Sequence, residues 1–304
     1  MYRYARRGGP NESRGCNRLQ DFIRTCICSW ILVSSAWLAD NLGSVRVIDC
    51  SWHLPATGRS AHAEFTAAHI PGAVFLDLDA VADTTSSLPH MLPPAEVLAA
   101  WCALNGIAPG QSLVVYDDSD VRSAARGWWM LKRFGFASVA VLDGGLGKWR
   151  AEGPAGRRTA HTAFGSRPGP HTRRRCRAHA RCHARQCGYQ GGAGRRCARR
   201  PRFRAEVPEA RPGLRAGHIP GSFNLPYTDL FNADGTYKDK AGLAAAFATI
   251  GVDPARPAVA TCGSGVTAAT LVFAAHQLGH RMALYDGAWT EWGAQPDTPV
   301  AIGA

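Results

Sequence analysis

Ala258-Val-Ala-Thr-Cys262-Gly-Ser-Gly-Val-Thr-Ala268 is the stretch whose reading decides the fold. Its apolar run stops abruptly at Cys262, the pattern of a short buried strand. Gly263 and Gly265 let the backbone curl without a Cβ penalty. Val266 to Leu278 then shows helical periodicity, with Gly279 placed as the C-terminal cap. Strand, tight loop and helix in that order set the sulfur before several backbone N–H groups and the positive end of a helix dipole. Those surroundings favour a thiolate, the reactive form of the side chain. The same pattern also fits an unreactive cysteine that closes a buried strand.

Working outward, the two halves of the chain repeat one another. His218-Ile-Pro-Gly-Ser222 matches His69-Ile-Pro-Gly-Ala73, Ala258-Val-Ala-Thr261 matches Leu113-Val-Val-Tyr116, and Asp286-Gly287 with Trp292 matches Asp143-Gly144 with Trp149. Val252-Asp-Pro254 likewise matches Ile107-Ala-Pro109. An offset of about 145 residues means a duplicated domain rather than a solenoid. In the first half a helix is expected from a Ser34 cap to Leu42, with further helices over Pro94–Asn105 and Ala124–Phe134. Strands are expected at Val45–Ile48, Val74–Leu78, Ser112–Tyr116 and Val139–Leu142. Strands alternating with helices imply an α/β fold with a mostly parallel sheet covered on both faces. Ligands in such sheets sit at the carboxyl ends of strands. Cys262 occupies that place in the second copy and Asp117 in the first, so the first copy lacks the nucleophile.

The formal charge of +12 suggests nucleic acid until its distribution is read. Residues 157–200 carry 13 arginines and no acidic residue. Removing those 13 from the 35 basic residues leaves 22 against 23 acidic, so the basic character belongs to one segment. No apolar run approaches the length of a membrane span. Of ten cysteines, only Cys50, Cys102 and Cys262 lie in sequence that patterns as foldable, the usage of a reducing compartment. The expected layout is an N-terminal extension at 1–31, a first domain at 32–154, an anomalous segment at 155–200 and a second domain at 201–304. The extension lacks the apolar core and cleavage site of a signal peptide and reads as non-native.

Residues 155–200 contain no Ile, Leu, Val, Met or Trp. Three readings compete. Basic patches bind nucleic acid, but this one has almost no aromatic residue for stacking. Cys176, His179, Cys182, His183 and Cys187 invite a metal, yet their spacing matches no standard zinc pattern. Out-of-frame translation of a GC-rich gene yields the Arg, Ala, Gly, Pro, Cys and His found here, and this reading, or that of a linker, is preferred. On it the second sheet would lack a strand and the segment would be disordered.

Cys262-Gly-Ser-Gly-Val-Thr-Ala268 strongly resembles the active loop of the 3-mercaptopyruvate sulfurtransferases, two-domain members of the rhodanese family. Tyr285-Asp-Gly-Ala-Trp-Thr-Glu-Trp292 adds to the likeness, which covers residues 32–154 and 201–300. Thiosulfate-using relatives carry a basic pair where this chain has Gly263-Ser264. A phosphatase loop would need an arginine where Ala268 stands. The resemblance implies two tandem rhodanese-like domains and a Cys262 thiolate that takes sulfur from 3-mercaptopyruvate as a persulfide. It implies that Ser264 works with His90 and Asp79 of the first domain as a proton relay. Arg202 and Arg211, nine residues apart, would hold the substrate carboxylate and ketone. Gly263, Gly265, Val266 and Thr267 would complete the loop around the substrate. His69 and His218 would brace turns. No cofactor and no metal are expected. The partners implied are a small-molecule sulfur donor and a thiol acceptor such as thioredoxin, without nucleic acid or membrane, in the cytoplasm. The alternatives are a thiosulfate-using enzyme, or an inactive sulfur carrier from a damaged gene.

Overall fold

The computed structural model describes residues 31–153, 194–196, 200–251, 253 and 256–303. The expected N-terminal extension apart from Ile31, the cysteine and histidine cluster and most of the arginine-rich segment lie outside these residues.

In the first unit the chain forms β1 (Leu32–Val33), α1 (Ser35–Asn41), β2 (Arg46–Asp49), α2 (Ala61–Ala67), β3 (Val74–Phe75), α3 (Ala95–Leu104), β4 (Leu113–Tyr116), α4 (Ala124–Arg133), β5 (Val139–Leu142) and α5 (Gly145–Glu152). Ser34 caps α1 by accepting from Trp37 N at 3.2 Å. The sheet order is β1-β5-β4-β2-β3, and every pairing is parallel. Alternation along the strands feeds two cores. Ile48, Leu113, Val115, Val139 and Val141 pack with Leu98 of α3 and Trp128 of α4. Val47, Val114, Ala140 and Leu142 pack with Leu38 of α1 and Leu146 and Trp149 of α5. Helices therefore cover both faces, as a parallel sheet requires.

The second unit holds β6 (Gly194–Arg196), α6 (Arg200–Phe203), β7 (Phe223–Asn224), α7 (Lys240–Ala248), β8 (Val259–Thr261), α8 (Ala268–Gln277), β9 (Ala283–Leu284) and α9 (Ala288–Trp292). Its strand order is β7-β6-β8-β9, again parallel throughout. The expectation of a missing strand is corrected at this point. Residues 194–196 pair with both β7 and β8, so the second sheet starts inside the segment assigned to 155–200 and ahead of the expected boundary at 201. A parallel ladder uses main-chain N–H and C=O groups, which Gly-Arg-Arg supplies as well as any apolar tripeptide.

The expected strand at Val74–Leu78 is shortened to Val74–Phe75. Leu76 and Leu78 are apolar because they are buried, at 0% and 2% exposure. Asp77 Oδ1 accepts from Asp79 N at 2.9 Å and Ala80 N at 3.2 Å and turns the chain out of the sheet. His69 and His218 brace their turns as expected, Nδ1 lying 2.7 Å from Phe65 O and 2.9 Å from Phe203 O.

The units meet along α4 and α8, where Trp128 packs edge-on against Phe273 with centroids 4.9 Å apart. Gly127 sets the opposite face of α4. A Cβ there would lie 2.3 Å from Cys50 Sγ, and Cys50 is fully buried. Gly127→Ala is therefore expected to destabilise the protein by about 1–3 kcal/mol through overpacking, measured as a lower denaturant midpoint. An unchanged midpoint would mean that α4 has room to move.

Candidate active site

Cys262 follows β8 directly and is 3% exposed. Gly265 N donates to its Sγ at 3.0 Å, a hydrogen bond that strengthens when the sulfur is ionised. Gly265 has φ +81, and a Cβ on it would lie 3.1 Å from Asp286 O and 3.2 Å from Arg126 Nη1. Glycine is thus required at 265. At Gly263 φ is not positive and nothing lies within 4 Å of a built Cβ, so the expectation that both glycines serve the curl holds for Gly265 alone. Val266 is buried in the core at 2% exposure. Thr267 is the N-cap residue of α8 without a side-chain cap bond. Behind the loop, Trp289 N and Thr290 N donate to the carbonyls of Cys262 and Gly263 at 2.9 and 3.0 Å.

The first unit reaches across to this loop. His90 Nδ1 lies 3.0 Å from Ser264 Oγ and its Nε2 lies 2.9 Å from Asp79 Oδ1. Asp79 Oδ2 accepts from Trp52 Nε1 at 2.9 Å, and the Trp52 ring meets His90 edge-on at 4.7 Å. A carboxylate on Nε2 fixes the proton there, which leaves Nδ1 of the neutral ring to accept from the serine hydroxyl. The hydrogen bond from His90, with smaller help from Trp52, holds the Asp79 carboxyl below its ordinary value, against the opposing effect of burial. His90 and Ser264 are both buried, at 5% and 8% exposure. Four residues from two units thus form one hydrogen-bonded chain that ends two residues from the sulfur.

Arg211 is half-buried. Burial pulls its guanidinium below its ordinary value, while the charges of Cys262 and Asp79 act in the opposite direction. A desolvated cation that feels the sulfur is suited to an anionic substrate. Arg202 sits in the one-turn helix α6, and its Nε is 3.7 Å from Glu209 Oε2.

Three contributors have no site role assigned from the sequence: Trp52, Arg126 and Asp286, the last of which enters there only through the repeat and the Tyr285–Trp292 block. The available signal for Arg126 was a lone arginine inside the apolar run Ala124-Ala-Arg-Gly-Trp-Trp129. At the equivalent mouth of the first unit stands Asp117, which burial pushes up to about 6. Its carbonyl accepts from Leu146 N at 2.9 Å, as that of Cys262 accepts from Trp289 N. A cavity of about 270 Å³ opens beside Asp117, lined by Arg59, Arg122, Lys148 and Asp234 among others, and is distinct from the sulfur site. Among the described residues no group of three or more His, Cys, Asp or Glu is placed to hold a metal, and no helix is long and apolar enough to cross a membrane.

The family model described as the rhodanese-like domain matches residues 34–152 and again 202–295. The chain belongs to the rhodanese family. Each unit holds one of the two matches, so the rhodanese-like domain is present in two copies. Among characterised proteins, the 3-mercaptopyruvate sulfurtransferase of Escherichia coli K12 is 39% identical over 282 residues, covering 88% of this chain and 96% of its own. The human 3-mercaptopyruvate sulfurtransferase is 37% identical over 290 residues, covering 90% and 95%. The crystal structure of the Escherichia coli 3-mercaptopyruvate sulfotransferase SseA superposes with a TM-score of 0.71 at 34% identity, covering 86% of this chain and 99% of that one.

Proposed function

We propose that this protein is a 3-mercaptopyruvate sulfurtransferase that works through a persulfide on Cys262. The observation that carries the reading is the 3.0 Å link between His90 Nδ1 and Ser264 Oγ, which brings a proton relay to a cysteine loop with no cationic side chain of its own. The Cys262 thiolate attacks the substrate sulfur. The carbon–sulfur bond breaks, its electrons pass to the carbon as the pyruvate enolate, and the sulfur stays on Cys262. The proton released when Cys262 ionises passes through Ser264 to His90 Nδ1, where ionised Asp79 stabilises the imidazolium, and it returns through Ser264 to the developing enolate, leaving His90 neutral. Arg211, with Arg202, holds the substrate carboxylate, and the backbone of Gly263, Gly265, Val266 and Thr267 shapes the pocket. An acceptor thiol such as that of thioredoxin, or cyanide in vitro, then attacks the outer sulfur and returns the thiolate. The reading needs neither a cofactor nor a metal, and the cysteine usage of a reducing compartment supports the cytoplasm as its location.

Thiosulfate is the alternative donor. It is a dianion, and Gly263-Ser264 offers it no charge. The test is to compare pyruvate release from 3-mercaptopyruvate with sulfite release from thiosulfate, in wild type and in Gly263→Arg. The open space at Gly263 admits the new side chain, whereas Ser264 must stay because it holds His90. The wild type is expected to prefer 3-mercaptopyruvate. The variant should shift the ratio of kcat/KM values toward thiosulfate by on the order of tenfold, through charge complementarity. A wild type that prefers thiosulfate would overturn the reading.

A further inference from the structure

Arg126 projects from α4 at the boundary between the units and is 0% exposed. A guanidinium without water needs partners, since an unpaired buried charge is strongly unfavourable. Its Nη1 lies 2.6 Å from Asp286 Oδ1, in the other unit. Its Nη2 donates to the carbonyl of His90, and its Cζ lies 4.6 Å from the ring centroid of Trp129. The other oxygen of Asp286 accepts from Leu92 N at 2.7 Å. The segment carrying His90 is therefore gripped twice, at the His90 carbonyl by Arg126 and at Leu92 N by Asp286. His90 itself has φ +59, a conformation that costs a non-glycine residue energy and persists only when its surroundings enforce it.

The same pair touches the cysteine loop. A Cβ on Gly265 would come within 3.2 Å of both Arg126 Nη1 and Asp286 Oδ1, and Gly265 is the residue whose N–H meets the sulfur. One ion pair thus abuts both halves of the site, the histidine from the first unit and the loop from the second. We propose that Arg126 and Asp286 are positioning residues, an interdomain clamp that sets the His90 imidazole against Ser264. The proposal rests on the reading of Cys262, Ser264 and His90 as the reacting groups. It adds a reason for the site to be built between two domains: the relay is in register only while the ion pair is closed.

The half-reactions separate this role from general support of the fold. Persulfide formation from 3-mercaptopyruvate needs the relay. Discharge of a persulfide loaded beforehand with polysulfide, using cyanide, does not generate an enolate and bypasses it. In Asp286→Asn and Arg126→Met, formation is expected to slow by about 10²-fold, the effect of a misplacement of about 1 Å, while discharge keeps its wild-type rate. Arg126→Lys keeps the charge without the fork and should fall between. In a His90→Gln background the clamp variants should add no further loss, because the clamp acts through His90. Should Arg126→Met fail to fold, Asp286→Asn, which is nearly isosteric, still reads the proposal. Imidazole ¹⁵N shifts of His90, recorded without substrate, should report a fixed Nε2–H tautomer in the wild type and a mixture in Asp286→Asn. Those shifts read the clamp even if 3-mercaptopyruvate is not the donor. Equal slowing of both half-reactions, multiplicative losses with His90→Gln, or unchanged shifts would overturn the clamp.

Discussion

Cys262→Ser is expected to abolish pyruvate release from 3-mercaptopyruvate while the protein stays folded. Oxygen in place of sulfur cannot form the persulfide, so no slower route through the same intermediate remains. The change is nearly isosteric, and the Gly265 N–H that meets Sγ at 3.0 Å keeps an acceptor. The cost in stability should be about 1 kcal/mol, a shift of a few degrees in the thermal midpoint. The other described cysteines give no substitute. Cys50 is fully buried and Cys102 nearly so. Burial pushes the Cys50 thiol well above its ordinary value and that of Cys102 up to about 11. Residual turnover in Cys262→Ser near the wild-type rate would mean that the nucleophile lies elsewhere.

Ser264→Ala and His90→Gln should each lower kcat for 3-mercaptopyruvate by about 10²–10⁴-fold, the usual worth of positioned proton transfer. The double variant should be little worse than the weaker single one, because residues acting as a unit are non-additive. Multiplying losses would show that the two act separately and that the 3.0 Å contact is incidental. The pH dependence follows from Asp79. Its folded value lies below the ordinary 3.8, so its contribution is present above that value and is lost as pH falls through the lowered one. The relay should therefore hold its carboxylate across neutral and mildly acid pH. Asp79→Asn should lower kcat at pH 7, where the wild-type group is charged.

The fold was legible where side chains carry the pattern. Val139–Leu142 is a strand with the limits its apolar run suggests, and the unbroken burial of β4 and the cap at Ser34 follow from local rules. The candidate relay was legible only through resemblance. No local rule links His90 to Ser264, which lie 174 residues apart. Two failures have a common cause. β6 is held by backbone pairing that composition does not reveal, and Leu76 and Leu78 read as strand because burial and strand formation leave the same apolar mark. The pairing of Arg126 with Asp286 was not legible because a buried ion pair spanning 160 residues is a property of the assembled interface. Arg126 alone looks like a misplaced charge in a core helix, and Asp286 alone looks like the start of a turn.

Where the transferred sulfur is held decides the mechanism. Wild-type protein should be exposed to one equivalent of 3-mercaptopyruvate without acceptor, digested under non-reducing conditions and analysed by mass spectrometry. The peptide containing Cys262 should gain the mass of a single sulfur atom and lose it on addition of cyanide, with thiocyanate released in equal amount. Sulfur found on the peptides of Cys50 or Cys102 instead, or pyruvate released with no sulfur on Cys262, would contradict it.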